Sequence, residues 1–222
     1  MVDRLGPYDL NTIITGNARE LTKDIPDESV DLVFTDPVYD RIADYRWLAK
    51  TAARILKPNR ACLAFVDTRH DARAQLAMET FLTYQWKLYY TIPGKPGALH
   101  LYGIYPCTTI CLYFAKGHVK ASPYIPDTFV STDRPDNGFK WQKNEAILLR
   151  WLSSFSSVDD VVVDLFCGSG SIPAVCKAAR RRYLGFEIDA ARAEGARQRV
   201  QNTQLLPPPL FVLQPEQTGM DL

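Results

Sequence analysis

Two stretches of this 222-residue chain combine residue types that can do chemistry. The first is VVVDLFCGSGS, Val161 to Ser171. An apolar run ends in Asp164, passes Phe166, Gly168 and Gly170, and at Ser171 gives way to a helical pattern. A glycine turn between strand and helix lets the backbone approach a ligand closely, and the helix N-terminus favours an anionic group such as a carboxylate. The next strand-like run, YLGFEID, carries Glu187 and then Asp189. An acid at the tip of that second strand can accept both hydroxyls of a ribose. A lone Gly-x-Gly is just as often a tight structural turn; the paired acid makes a ligand loop the better reading. No Lys-Ser/Thr ending follows the glycines, which argues against a triphosphate loop. Pro173 stands where a dinucleotide fingerprint needs its third glycine.

The second stretch is Asp36-Pro37-Val38-Tyr39, directly after the apolar run Val30–Thr35. The carboxyl end of a strand is where open α/β sheets bind ligands. The Asp36 carboxylate and the Pro37 carbonyl can each accept one N–H of an exocyclic amino group. As a methyl group arrives, the nitrogen rehybridises and gains positive charge, which acceptors aimed there stabilise. Tyr39 offers a ring on which a base can stack. Taken alone, the same four residues also fit a proline turn after a strand.

Both stretches need strands and helices to hold them. Short apolar runs rich in β-branched and aromatic residues predict strands at Thr12–Thr15, Val30–Thr35, Cys62–Val66, Trp86–Ile92, Thr108–Phe114, Val161–Phe166 and Tyr183–Ile188. Between them, helical patterns cover Tyr45–Leu56, Ala72–Leu82, Glu145–Leu152, Ile172–Arg180 and Ala190–Val200. This alternation predicts an α/β fold: a mainly parallel sheet with helices on both faces. Pro93–Pro106 and Lys116–Lys140 are rich in proline, glycine and polar residues, and together read as an insertion of about 93–140 on that scaffold. From about 203 to 222, including Pro207-Pro208-Pro209, the chain reads as a tail. The expected organisation is one domain over 1–222.

Composition narrows the classes. An apolar fraction of 46% and a charged fraction of 23% are those of a globular protein. No apolar run reaches the roughly 18 residues of a membrane span, and MVDRLGPYDL lacks a signal-type apolar core, so the expected location is cytoplasmic. The five cysteines have no zinc or disulfide spacing, and no metal site is expected. A net charge of +1 leaves nucleic acid open, because 26 basic residues can still cluster on one face. His70, His100 and His118 read as ordinary polar residues. Lys177, Arg180, Arg181 and Arg182 suit a helix C-terminus better than a DNA contact. Cys107 follows Pro106, but before a strand and not after one, and reads as core.

In combination these features resemble a known family, the amino-methylating DNA methyltransferases of the circularly permuted β group. In that family an Asp-Pro-Pro-Tyr motif comes first, a recognition region next and a Phe-x-Gly-x-Gly loop last. Here the order is DPVY at Asp36, the insertion, then FCGSG from Phe166 to Gly170. TGNARELTKDIPDESVDLVFTDPVY, KWQKNEAILLRWL and GFEID are similar to further family phrases, so the likeness runs from Thr15 to Val200. It implies a Rossmann-like methyltransferase fold, S-adenosyl-L-methionine as cofactor, and methyl transfer to N6 of adenine in double-stranded DNA by direct displacement on a flipped base. It also implies roles. Asp36 and the Pro37 carbonyl hold the amino group, and Tyr39 stacks on the base. Asp164, Phe166, Gly168, Gly170 and Ser171 shape the loop around the methionine part of the cofactor. Glu187, with Asp189 beside it, takes the ribose. Lys143 contacts the cofactor carboxylate, and Asn17 its adenine. Homodimers are usual in the family, and a restriction-modification role with a nuclease partner is not readable from this chain. Val38 replaces the second proline, Asn17 an acid, and Trp141 and Asn144 parts of the His-Pro and Lys-Pro pairs. N4-cytosine methylation, methylation of RNA or a protein glutamine, and a catalytically inactive DNA- or partner-binding module are the rival readings.

Overall fold

The computed structural model describes residues 3–92, 103–104, 106–131 and 145–207. In chain order these residues form β1 (Arg4–Leu5), β2 (Tyr8–Asp9), β3 (Thr12–Thr15), α1 (Ala18–Leu21), β4 (Val30–Thr35), α2 (Ile42–Ile55), β5 (Leu56–Asp67), α3 (Asp71–Glu79), β6 (Thr83–Thr91), β7 (Thr108–Lys116), β8 (Thr128–Val130), α4 (Glu145–Phe155), β9 (Val161–Asp164), α5 (Ser171–Ala178), β10 (Arg182–Glu187) and α6 (Ala190–Asn202). Every strand and helix predicted from the hydrophobic pattern is present. The β1–β2 hairpin, α1 and β8 are additions, each too short to leave a periodic signal.

Eight strands make one sheet in the order β3-β10-β9-β4-β5-β7-β6-β8. All neighbours are parallel except β7, which runs antiparallel to both β5 and β6. β4 (VDLVFT) and β9 (VVVD) lie at the centre and are buried at every position, as strands covered on both faces must be. Alternate residues serve opposite cores. Ala61, Leu63 and Phe65 of β5 pack with α4, α5 and α6, while Cys62, Ala64 and Val66 pack with α2 and α3. In α4, Ile147, Leu148, Trp151, Leu152 and Phe155 form one apolar stripe at helical spacing. The α/β expectation is met.

β9 leads to β10 on one side of the sheet, and β4 leads to β5 on the other. The chain therefore diverges between β9 and β4, and the loops leaving their carboxyl ends open a crevice there. β7 lies within the span 93–140 and pairs with β5 from Thr109 to Lys116, so any inserted region is confined to the segments on either side of it. The Leu206 N–H donates to the Ala178 carbonyl, so the first residues of the expected tail fold back onto α5. Among the described residues, no helix is long and apolar enough to cross a membrane.

Trp151 is almost wholly buried, and its ring lies 5.6 Å from that of Phe65. Trp151→Ala removes the largest fully buried side chain from the face that α4 covers. It should cost about 3–5 kcal/mol in a urea unfolding titration. A loss below about 1 kcal/mol would mean that α4 does not anchor that face.

Candidate active site

Chemistry-bearing residues from four adjacent strands meet at one end of the sheet. Asn17 follows β3, Glu187 ends β10, the glycine loop follows β9, and Asp36–Tyr39 follows β4. Three sets of bonds hold these loops together. The Thr35 hydroxyl donates to Asp164 Oδ1 at 2.7 Å, and the Phe166 N–H donates to Thr35 Oγ1 and to Asp164 Oδ1, each at 3.1 Å. The Gly168 N–H donates to Glu187 Oε2 at 2.8 Å, and the Asp189 N–H to Glu187 Oε1 at 2.9 Å. The Gly16 N–H donates to the Glu187 carbonyl at 2.8 Å.

These bonds sort the expected site residues. Glu187 is oriented by two backbone donors, yet a carboxylate has about four acceptor positions, so each oxygen can take another hydrogen. Gly168 and Gly170 have φ of +52° and +76°, in the left-handed region that glycine occupies without penalty. A Cβ on Gly170 would also lie 2.8 Å from Ala196 Cβ, so the loop can sit against α6 only as glycine. Asp164 is 3% exposed and braces the loop from beneath. Asp189 caps α6 by accepting from the Arg192 N–H, and Asn17 caps α1 by accepting from the Arg19 N–H. Pro37 is buried and Val38 half-exposed. The Tyr39 hydroxyl is hydrogen-bonded to the Asp36 side chain. Burial, then the Asp36 charge, push its pKa far above the ordinary tyrosine value. Lys143 lies outside the described residues.

Several participants were not singled out from sequence. Thr35 reads as one more strand residue until Asp164 is placed beside it. Trp47 of α2 packs edge-on against Phe166 at 5.8 Å and carries the Arg19 guanidinium 4.8 Å above its own ring. Ile188 follows Glu187 and is 71% exposed, an apolar surface beside the acid. An apolar residue directly after the strand-tip acid is the one sequence signal that could have found it. The basic run behaves largely as expected. Lys177 donates to the Val200 and Gln201 carbonyls near the end of α6, and Arg181 to the Ala179 carbonyl just past α5. His70 bonds Asp67 through Nδ1 at 2.7 Å. Cys107, expected in the core, is only partly buried at the head of β7.

Residues 115–198 match a family model described as DNA methylase. The chain is 24% identical over 232 residues to Type II methyltransferase M.HpaI of Haemophilus parainfluenzae, covering 85% of this chain and 73% of that protein. It is 24% identical over 231 residues to the DNA adenine methyltransferase YhdJ of Escherichia coli strain K12, covering 81% and 79%. Among solved structures, the M1.HpyAVI–SAM complex superposes with a TM-score of 0.71 at 22% identity, over 85% of this chain and 98% of the other. The fold is that of the S-adenosylmethionine-dependent DNA methyltransferases. PvuII DNA methyltransferase, cytosine-N4-specific, superposes equally well, with a TM-score of 0.71 at 17% identity over 87% and 93%. The fold alone therefore names no target base.

Asp164 gives the site a pH signature. Burial raises its pKa from 3.8 to about 7. The nearby carboxylates of Asp36 and Glu187 add to the rise, and the bonds from Thr35 and Phe166 oppose it. The folded state therefore holds a proton that the unfolded chain has released. The stability it contributes is complete below about 3.8 and is lost as pH rises through about 7. Asp164→Asn should remove this dependence. In thermal unfolding, the wild-type midpoint should fall relative to the variant between about pH 4 and 7. Parallel curves would show that Asp164 is ionised throughout.

Proposed function

We propose that this chain transfers a methyl group from S-adenosyl-L-methionine to N6 of adenine in DNA. The observation that carries the reading is the Asp36–Pro37 acceptor pair at the end of β4, placed across the crevice from the glycine loop that ends β9. The names of the relatives, which include a DNA adenine methyltransferase, support it.

The residues present suit the cofactor. Glu187 is a pre-oriented acceptor for a ribose diol, Ile188 an apolar surface beside it, and Gly168 and Gly170 give the loop its left-handed turns. Lys143 is assigned to the carboxylate end. The bound cofactor supplies an electrophilic methyl group on sulfur. Asp36 accepts one N–H of the target amino group and the Pro37 carbonyl the other, which turns the nitrogen lone pair toward that methyl. As the methyl group's bond to sulfur broke, leaving a neutral thioether, and its bond to nitrogen formed, positive charge on nitrogen would face the Asp36 carboxylate, and the surplus proton would leave along the same hydrogen bond. The Tyr39 hydroxyl holds the carboxylate, and its ring gives a flipped base a stacking surface. The nucleophile is the amino nitrogen of the base itself, so positioning and charge stabilisation carry the rate.

Methylation of cytosine N4 needs the same pair of acceptors, and a cytosine-N4-specific enzyme shares the fold. The aspartate at position 36, where cytosine enzymes of the resembling family usually carry serine, favours adenine. Asp36→Ala should lower methyl transfer by roughly 10²-fold or more while cofactor affinity stays near wild type. Mass spectrometry of nucleosides from methylated DNA should give N6-methyl-2′-deoxyadenosine. N4-methylcytosine as the main product would overturn the base assignment, and full activity in the variant would overturn the mechanism. Glu187→Ala should weaken calorimetric binding of the cofactor by about 1.5–3 kcal/mol. Unchanged affinity would remove Glu187 from the site.

A further inference from the structure

A cleft of about 680 Å³ opens at the end of the sheet opposite the active-site loops. Its walls come from the starts of β3 and β10 and from the ends of α5 and α6. β10 runs from Arg182, in the cleft, to Glu187, at the crevice, so at about 3.3 Å per residue the two lie on the order of 16 Å apart. The cleft has the size of a small-ligand site, commonly about 300–1,000 Å³. Five cations line it: Lys177, Arg180, Arg181, Arg182 and Arg197. The only carboxylates among its lining residues are Asp3 and Asp159.

Most of these cations have local work. Lys177 and Arg181 donate to carbonyls at the ends of α6 and α5, which the helix dipoles explain. Arg182 uses Nε on the Asp159 carbonyl and Nη1 on Asp3, and Arg197 uses Nε on Glu194 and Nη1 on the Ile13 carbonyl. Arg180 differs. Its side chain is exposed, and no hydrogen bond or ion pair engages it among the described residues. Its backbone is also unusual. The Arg180 N–H donates to the Lys177 carbonyl and the Arg181 N–H to the Cys176 carbonyl, which closes α5 with a left-handed residue at position 180, φ +59°. Glycine is the residue that suits such a helix end. Here the position carries a guanidinium in its place, at the edge of a cleft.

We propose that this cleft is a second ligand site, for a nucleoside phosphate, either free or within a nucleic-acid strand, with Arg180 as its main phosphate donor. A guanidinium fork matches two phosphate oxygens at once. Nη2 of Arg182 and of Arg197 can add to it. Leu205 is 54% exposed, beside Ile13 and Val200, and gives sugar and base an apolar wall that an inorganic ion would leave unused. The site goes beyond methyl transfer and does not depend on it.

Calorimetry on the full chain with thymine compounds tests this. They carry neither an exocyclic amino group for Asp36 nor a ribose diol for Glu187. Thymidine 5′-monophosphate should bind, and thymidine should bind at least roughly ten-fold more weakly. Arg180→Gly should weaken the monophosphate by roughly ten-fold, with a thermal unfolding midpoint at or above wild type, because glycine takes the left-handed turn more easily. Its affinity for S-adenosylhomocysteine should not change. Octathymidylate identifies the source. Much tighter binding than the monophosphate, falling steeply with salt, assigns a strand; similar affinity assigns a free nucleotide. Equal binding of thymidine and its monophosphate, wild-type affinity for both phosphates in Arg180→Gly, a lowered midpoint in that variant, or no binding of any thymine compound would overturn the proposal and leave the cofactor reading standing. Octaglutamate binding as tightly as octathymidylate would overturn the phosphate assignment. Loss of the cofactor reading would leave this site untouched.

Discussion

The constraint on which the site depends is the junction between β4 and β9. Here the chain runs away in both directions, and beyond the ladder pairs Leu32–Val162 and Val33–Val163 the two departing loops need a further tie. The tie is polar and buried. Thr35 on β4 donates to Asp164 on β9, and the Phe166 N–H is shared between them. An aspartate in this position is expensive, as its raised pKa shows. A leucine would pack there at lower cost, but it could not hold the first amide of the glycine loop. Asp36 follows Thr35 directly and Phe166 opens the FCGSG loop, so one hydroxyl and one carboxyl set the spacing between the two loops that flank the crevice.

Around this junction the same economy recurs. Glu187 is oriented by the Gly168 and Asp189 amides, so the glycine loop and the start of α6 are registered on the acid meant to meet the ribose. Gly170 sits against Ala196 with no room for a Cβ, which locks the loop to α6 from the other side. Trp47 backs Phe166 from α2. The loop is thus gripped by elements from both faces of the sheet. Direct transfer without a covalent intermediate draws its rate from positioning, and a loop held at this many points loses little freedom when ligands bind.

Much of this was legible in the residues. Seven apolar runs predicted the strands because central parallel strands must be hydrophobic on both faces, and Val30–Thr35 and Val161–Asp164 are buried throughout. The DPVY and FCGSG loops could be placed because both follow such runs. The division of labour within the site was less legible. Asp164, Asp189 and Asn17 are acids or amides near a ligand loop, and sequence alone does not distinguish an acceptor for a ligand from an acceptor for the backbone. The structure uses Asp164 as a brace and the other two as helix caps. Thr35 stayed hidden for a different reason. Its partner, Asp164, is far away in the chain, and spacing carries no trace of such a contact.

In the proposed reading, the choice of base would turn on the charge of one side chain. An amino group on adenine or cytosine offers two hydrogens in the same plane, and a carbonyl such as that of Pro37 serves either. The residue at position 36 is what differs. A carboxylate stabilises developing positive charge more strongly than a hydroxyl does, and here it lies near Asp164 and the partly buried Tyr39. Asp164 helps because burial raises its pKa to about 7, so it is only partly ionised near neutral pH and the like charge near Asp36 is reduced. Tyr39 helps by donating its hydroxyl to Asp36, and its raised pKa keeps that proton in place. The two neighbours thereby act in one sense: one withdraws a negative charge and the other supplies a hydrogen. Val38 is half-exposed and makes no demand on this arrangement, which is why the proline usual at that position can be absent while the acceptor pair remains.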